Sequence, residues 1–190
     1  MKFLKSSLIA FALMSSSFIW AKNSSGSNFS MTPIVGLERI QRIQPTPTMK
    51  TRTIIGLETL YKLPVAAIEA GVTYGEDSSY DSSITTNYKD ADTKLKLGLR
   101  GAINEGAVFS SYLRGGAQLK QNKHSVTVTG STTITSNETK INPYLGSGLS
   151  IKLLNNISIS ADITAVYTPT SVPGLSDYEV QPSLGFILSI

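Results

Sequence analysis

The stretch 178–190, YEVQPSLGFILSI, constrains the fold more than any other part of the chain. Read at every second residue, it gives one row of Val180, Pro182, Leu184, Phe186, Leu188 and Ile190. The other row is Glu179, Gln181, Ser183, Gly185 and Ser189, broken only by Ile187. A β-strand sends successive side chains to opposite faces, so this stretch is a strand with one apolar and one polar side. Seven earlier segments read as strands too: 30–42, 50–62, 65–75, 92–102, 107–120, 140–153 and 157–167. In 92–102, Leu95, Leu97 and Leu99 oppose Lys94, Lys96, Gly98 and Arg100. A helix needs apolar residues three to four apart, which these segments lack.

The chain of 190 residues suits one domain, 30–190, behind a leader and a short lead-in at 22–29. Residues 1–21 carry Lys2 and Lys5, an apolar run to Trp20, and Ala21, the pattern of a signal peptide cleaved after Ala21. Its loss takes Lys and Arg from 17 to 15, against 13 Asp and Glu. That balance argues against nucleic acid as a partner. With no cysteine there is no disulfide framework and no thiolate metal site. No window after residue 21 approaches the roughly 20 apolar residues of a spanning helix. A membrane protein without such helices must be a closed barrel, because lipid cannot satisfy an open sheet edge.

The expected connections alternate in length. Those at 63–64, 103–106 and 155–156 are tight, 43–49 is moderate, and 76–91, 121–139 and 168–177 are long. A transmembrane barrel has this asymmetry, with short periplasmic turns and longer extracellular loops. Eight strands then place both termini on the periplasmic side. A soluble lipocalin-type barrel also alternates, with the apolar row inward. Against it stand the aromatics of the apolar register, Tyr61, Tyr74, Phe109, Tyr167, Tyr178 and Phe186, which fall near strand ends as two interfacial girdles would. The polar row is rich in glycine, which suits a crowded interior.

The fold class expected is therefore all-β: an eight-stranded antiparallel up-and-down transmembrane β-barrel. In this arrangement and in its last strand the chain resembles the small eight-stranded bacterial outer-membrane barrels of the OmpX, OmpA membrane-domain and OmpW types. Ser183, Gly185, Leu188 and Ile190 resemble that family's C-terminal assembly signal, although the family usually ends in an aromatic residue. The resemblance implies an outer-membrane location, contact with lipid and lipopolysaccharide, and handling by the barrel-assembly machinery.

Reading the polar row inward places Glu38, Glu58, Glu69, Lys94, Lys96, Arg100, Arg114, Lys152 and Asp162 in the lumen. Counting from tight turns sets Glu58 nearly opposite Glu69, and Lys96 nearly opposite Arg114. Eight strands leave a lumen just wide enough for side chains to fill, so an ion-paired plug is expected. His124 and Ser125 are neighbours but would point to opposite faces in a loop. No catalytic triad or metal cluster is apparent, so the chain reads as a non-enzyme without a cofactor. The acidic residues at 76–92 read as a solvated loop, and their spacing matches no calcium loop.

Two functions remain open. One is a structural or interaction protein with a closed lumen; the other is a narrow pore for small or apolar solutes, as in the OmpW-like relatives. Val126, Val128 and Ile134 lie in β-branched runs flanking Gly130-Ser131, which fits a two-residue hairpin turn. A protruding hairpin with exposed edges would offer adhesion to a cell-surface protein ligand.

Overall fold

The computed structural model describes residues 28–42, 47–81, 86–103, 108–128, 131–136, 139–170 and 172–190. Nine strands run in order: β1 Phe29–Arg42, β2 Thr48–Lys62, β3 Ala67–Asp81, β4 Thr86–Ile103, β5 Phe109–Val128, β6 Ser131–Ser136, β7 Lys140–Leu154, β8 Ile157–Tyr167 and β9 Tyr178–Ser189. The sheet order is β4-β3-β2-β1-β9-β8-β7-β5-β6, and a further β4–β5 pairing closes it. Eight strands thus form the ring, all antiparallel, with β6 attached only to β5. The seam joins first strand to last, from Ser30↔Ser189 to Arg39↔Val180. The expected signal segment 1–21 lies outside the described residues. Phe29, placed in the lead-in by sequence, instead opens β1 opposite Tyr61.

The polar row faces inward. Leu95, Leu97 and Leu99 are 52–58% exposed, whereas Lys94 and Lys96 are 2% exposed. Among the described residues the fully buried side chains are mostly charged or amide-bearing, which inverts a water-soluble core. Hydrocarbon outside gives the leucines their apolar environment, and the closed sheet satisfies the backbone internally.

The similar pentapeptides Ile34-Val35-Gly36-Leu37-Glu38 and Ile54-Ile55-Gly56-Leu57-Glu58 lie against one another. Their antiparallel register pairs Ile34 with Gly56 and Gly36 with Ile54 around the Val35↔Ile55 pair. Each inward isoleucine is buried opposite a glycine, so the repeat is complementary to itself.

The structure departs from the sequence reading mainly at the long-loop end. Residues 76–91, expected as a loop, are mostly ladder, running from Glu76↔Ala91 to Asp81↔Thr86. β4 continues against β5 as far as Thr86↔Val128. Beyond the bilayer both faces of a strand are wet, so polar residues occupy both rows and the alternation fades. β6 then pairs from Lys123↔Ser136 to Val128↔Ser131. Ser131 is therefore a ladder residue, not part of the turn; Gly130 lies outside the described residues. The upper parts of β3, β4 and β5, with β6, form a four-stranded extension. β5 is covered on one side by β4 and on the other by β6, so the expected pair of exposed hairpin edges reduces to the outer edge of β6.

The 168–177 connection is fixed by local chemistry. Val172 O accepts from Leu175 N at 3.3 Å around Pro173 and Gly174, with Gly174 at φ 85°. Proline then glycine at the two central positions suits a type II turn. From β1, Gln41 Nε2 donates to Thr168 O at 2.9 Å and to Ser176 O, pinning this connection across the seam.

Candidate functional site

The luminal charges of the spanning region stack in two tiers. The tier nearer the short turns is built by β2, β3, β4, β5 and β8. Arg114 is its hub: Nη1 lies 2.8 Å from Glu58 and 3.4 Å from Glu69, while Nη2 bonds Asp162 and, at 2.5 Å, Thr164 Oγ1. Arg100 Nε donates to Glu69 at 2.8 Å, and its Nη2 reaches Glu69 at 2.7 Å and Glu58 at 3.3 Å. Tyr144 from β7 adds a hydroxyl donor to Glu69 at 3.2 Å.

Two expected juxtapositions shift. Glu58 pairs with Gly71, not Glu69, so the two carboxylates are diagonal neighbours. Arg114 faces Arg100, and Lys96 faces Gln118. The β4–β5 ladder starts at Ile103↔Ser111, so the connection is wider than the tight turn assumed, and the register slides with it. Directly opposed like charges are unfavourable across a strand pair. Glu58 and Glu69, each bridging both guanidinium groups, offset that repulsion. Lys96 makes no ion pair within 4.0 Å among the described residues; its ammonium lies 5.9 Å from the Tyr144 ring centre. Lys152, read as luminal, is exposed at the short-turn mouth.

The second tier lies toward the long loops. Glu38 accepts from Arg52 at 2.9 Å, from Lys94, and from Gln181 at 2.5 Å. Arg52 also bonds Asp92, which takes Asn122 at 2.5 Å. Lys120 joins Glu179 at 2.8 Å and Asp92 at 3.4 Å, and Lys94 reaches Glu179 at 3.4 Å. Sequence reasoning left out Arg52, Asp92, Lys120 and Glu179. Register parity was the available signal, since Arg52 shares the inward row with Glu58, and Glu179 shares it with Gln181.

Each tier is electrically balanced. Arg100, Arg114 and Lys96 face Glu58, Glu69 and Asp162; Arg52, Lys94 and Lys120 face Glu38, Asp92 and Glu179. Thr73, Thr164, Gln118 and Gln181 lie buried as well, with Gln118 fully enclosed. Glycine makes room for this filling. A Cβ on Gly98 would collide with Gly115 O and Tyr144 Oη, so Tyr144 folds over bare backbone.

The other expected residues fall as follows. Tyr61, Tyr74, Phe109, Tyr167, Tyr178 and Phe186 all point outward and are exposed. Tyr61, Phe109 and Phe186 lie toward the short turns, and Tyr74, Tyr167 and Tyr178 toward the loops. Arg39 is outward and exposed near the top of β1. Ser183 and Gly185 are turned inward while Leu188 is exposed on the outer face, and Ile190 N donates to Phe29 O at 3.0 Å. Val126 and Val128 lie on β5, and Ile134 pairs with Ser125.

His124 is a strand residue of the extension, not a loop residue. Its Nδ1 lies 2.5 Å from Asp90, its cross-strand partner. Nor are the acids at 76–92 a bare solvated tip: Asp77 pairs with Lys50 at 2.6 Å and Glu76 with Lys89 at 2.7 Å. The bond from Lys89, then that from the Tyr74 hydroxyl, holds the Glu76 carboxyl below its usual range. Among the described residues no group of three His, Cys, Asp or Glu is placed to hold a metal.

A family model described as the outer membrane protein beta-barrel domain matches residues 9–185. The chain belongs to that outer-membrane β-barrel family. Among solved members of this architecture, Neisserial surface protein A superposes with a TM-score of 0.61 at 15% identity, covering 87% of this chain and 100% of its own. Ail, the attachment invasion locus protein of Yersinia pestis, gives 0.56 at 15% identity, with 86% and 98% covered. A major outer membrane protein from Thermus thermophilus gives 0.61 at 11% identity, with 84% and 98% covered. At these identities the likeness is one of fold. A comparison with curated protein sequences finds no match.

Proposed function

We propose that this outer-membrane barrel is a non-conducting interaction protein: a sealed cylinder that holds a β-sheet at the cell surface. The balanced double tier carries the reading. A path for solutes needs a cross-section left open, whereas Glu38, Glu69, Lys94, Arg114 and Gln118 are each at most 2% exposed, as is Lys96, the luminal cation without an ion pair among the described residues. Interaction then belongs to the outside of the molecule.

In this reading the short turns and both chain ends face the periplasm, and residues 1–21 are removed on export. The barrel-assembly machinery reads Ser183, Gly185, Leu188 and Ile190, and Arg39 meets lipopolysaccharide phosphate. The aromatic rows mark the two interfaces. The outer edge of β6 is the adhesive element, because an unpaired strand edge offers backbone donors and acceptors to an added strand of a cell-surface protein ligand. The name of Ail, and its structure in complex with the heparin analogue sucrose octasulfate, favour a surface-binding role for this architecture. Replacing 126–135 with a short Gly/Ser loop is expected to leave the barrel folded and to reduce binding of cells to surfaces coated with the protein. Undiminished binding by the shortened barrel would remove the adhesive role.

A further inference from the structure

At the short-turn end the lumen opens into a cavity of about 170 Å³. This is far above the roughly 10–15 Å³ that one water requires. Its wall has an unusual composition for this molecule. Among the described residues, Lys62, Arg100 and Lys152 line it together with five serines and Tyr112, beside the apolar Leu60, Ala102 and Ile187, and neither an acidic side chain nor Ile190 does.

The donors converge from different strands. Ser110 and Ser150 face each other across β5 and β7, with their hydroxyl oxygens 2.6 Å apart. Lys152, two residues beyond Ser150, has no carboxylate within 4.0 Å among the described residues and is exposed. Lys62 ends β2, four strands away around the ring from β7, and so lies on the facing wall. Arg100 spends Nε and Nη2 on Glu58 and Glu69, and no bond among the described residues engages its Nη1. The Tyr112 side chain is only 5% exposed, lies 4.2 Å beneath the Arg100 guanidinium, and buries a hydroxyl that has no partner among the described residues.

We propose that this mouth binds one small tetrahedral oxyanion of the phosphate or sulfate class. Such an ion takes charge-assisted bonds from Lys152 and Arg100 Nη1 and neutral bonds from the serine hydroxyls. A metal cation would meet no carboxylate among the described residues that line this mouth. An apolar ligand would leave the Lys152 ammonium and Arg100 Nη1 without a partner. The phosphate can arrive free or as a monoester head group, and the two sources share this recognition.

The test uses the full mature chain refolded in non-ionic detergent. Inorganic phosphate is titrated calorimetrically at fixed ionic strength, with chloride as the control and glycerol phosphate as the ester probe. Saturable binding of one phosphate is expected, with none for chloride. Lys152→Glu should weaken it at least tenfold, with wild-type circular dichroism. Phosphate binding alone identifies the free ion, and equal binding of glycerol phosphate identifies the ester. The proposal is overturned by a wild-type response that chloride reproduces, or by phosphate affinity that Lys152→Glu leaves unchanged. Lys152 is exposed, so its replacement does not threaten the fold.

Discussion

Replacing Arg114 with methionine should be among the most damaging single changes in this barrel. Its side chain is 1% exposed and serves Glu58, Glu69, Asp162 and Thr164 at once. Glu58 and Glu69 keep Arg100 after the change, but Asp162 loses its only ion pair among the described residues. A tier of three cations and three carboxylates is left with one buried negative charge in excess. Removing one partner of a buried pair costs about 3–5 kcal/mol. Adding Asp162→Asn restores neutrality, so the double variant should recover on the order of 1–3 kcal/mol relative to the sum of the singles. Guanidinium unfolding in detergent micelles measures both, with the transition approached from the folded and unfolded sides. Circular dichroism is the suitable signal, because the only tryptophan is Trp20 in the expected signal segment. A loss below about 1 kcal/mol for Arg114→Met, or strict additivity of the pair, would refute the account of a tightly closed tier.

Gly98→Ala should cost roughly 1–3 kcal/mol by overpacking, since its Cβ would strike Gly115 O and Tyr144 Oη. Gly101→Ala, whose Cβ would meet nothing within 4 Å, should be close to neutral in the same unfolding measurement. For biogenesis, mass spectrometry of outer-membrane fractions should find a chain beginning at Lys22. Deleting 188–190 should abolish its heat-modifiable band on gels; a normal band would show that these residues are dispensable for assembly.

The spanning part of the barrel was legible because lipid outside and charge inside impose a two-residue period on every strand. Ile157–Tyr167 alternates as far as Ala165, with Val166 the one apolar residue of its inward row, and its observed bounds match the sequence reading. Where that contrast ends, so does the signal. Asp92 stood at the edge of the expected strand 92–102 and was counted with the solvated acids of 76–92, because Asp90 and Ala91 before it show no alternation, yet it is buried between Arg52 and Lys120. Register was harder still. Which cation meets which carboxylate depends on the length of each turn, and the wider β4–β5 connection put Arg100, not Lys96, across from Arg114. Tyr112 and Tyr144 share the parity of Arg114 and Gly146, which marks them as inward. Their packing over Gly148 and Gly98 depends on contacts between strands distant in sequence, which a single strand's pattern does not carry.

The proposed seal of the lumen is tested most directly by the conductance of single refolded barrels in planar lipid bilayers. In the proposed reading the two balanced tiers, whose side chains are buried, close the ring of eight strands to solutes. Membranes containing the unmodified monomer should therefore show no steady conductance steps in symmetric salt, at either polarity. Stable, reproducible steps from that same monomer would contradict the plug and establish the narrow pore in its place.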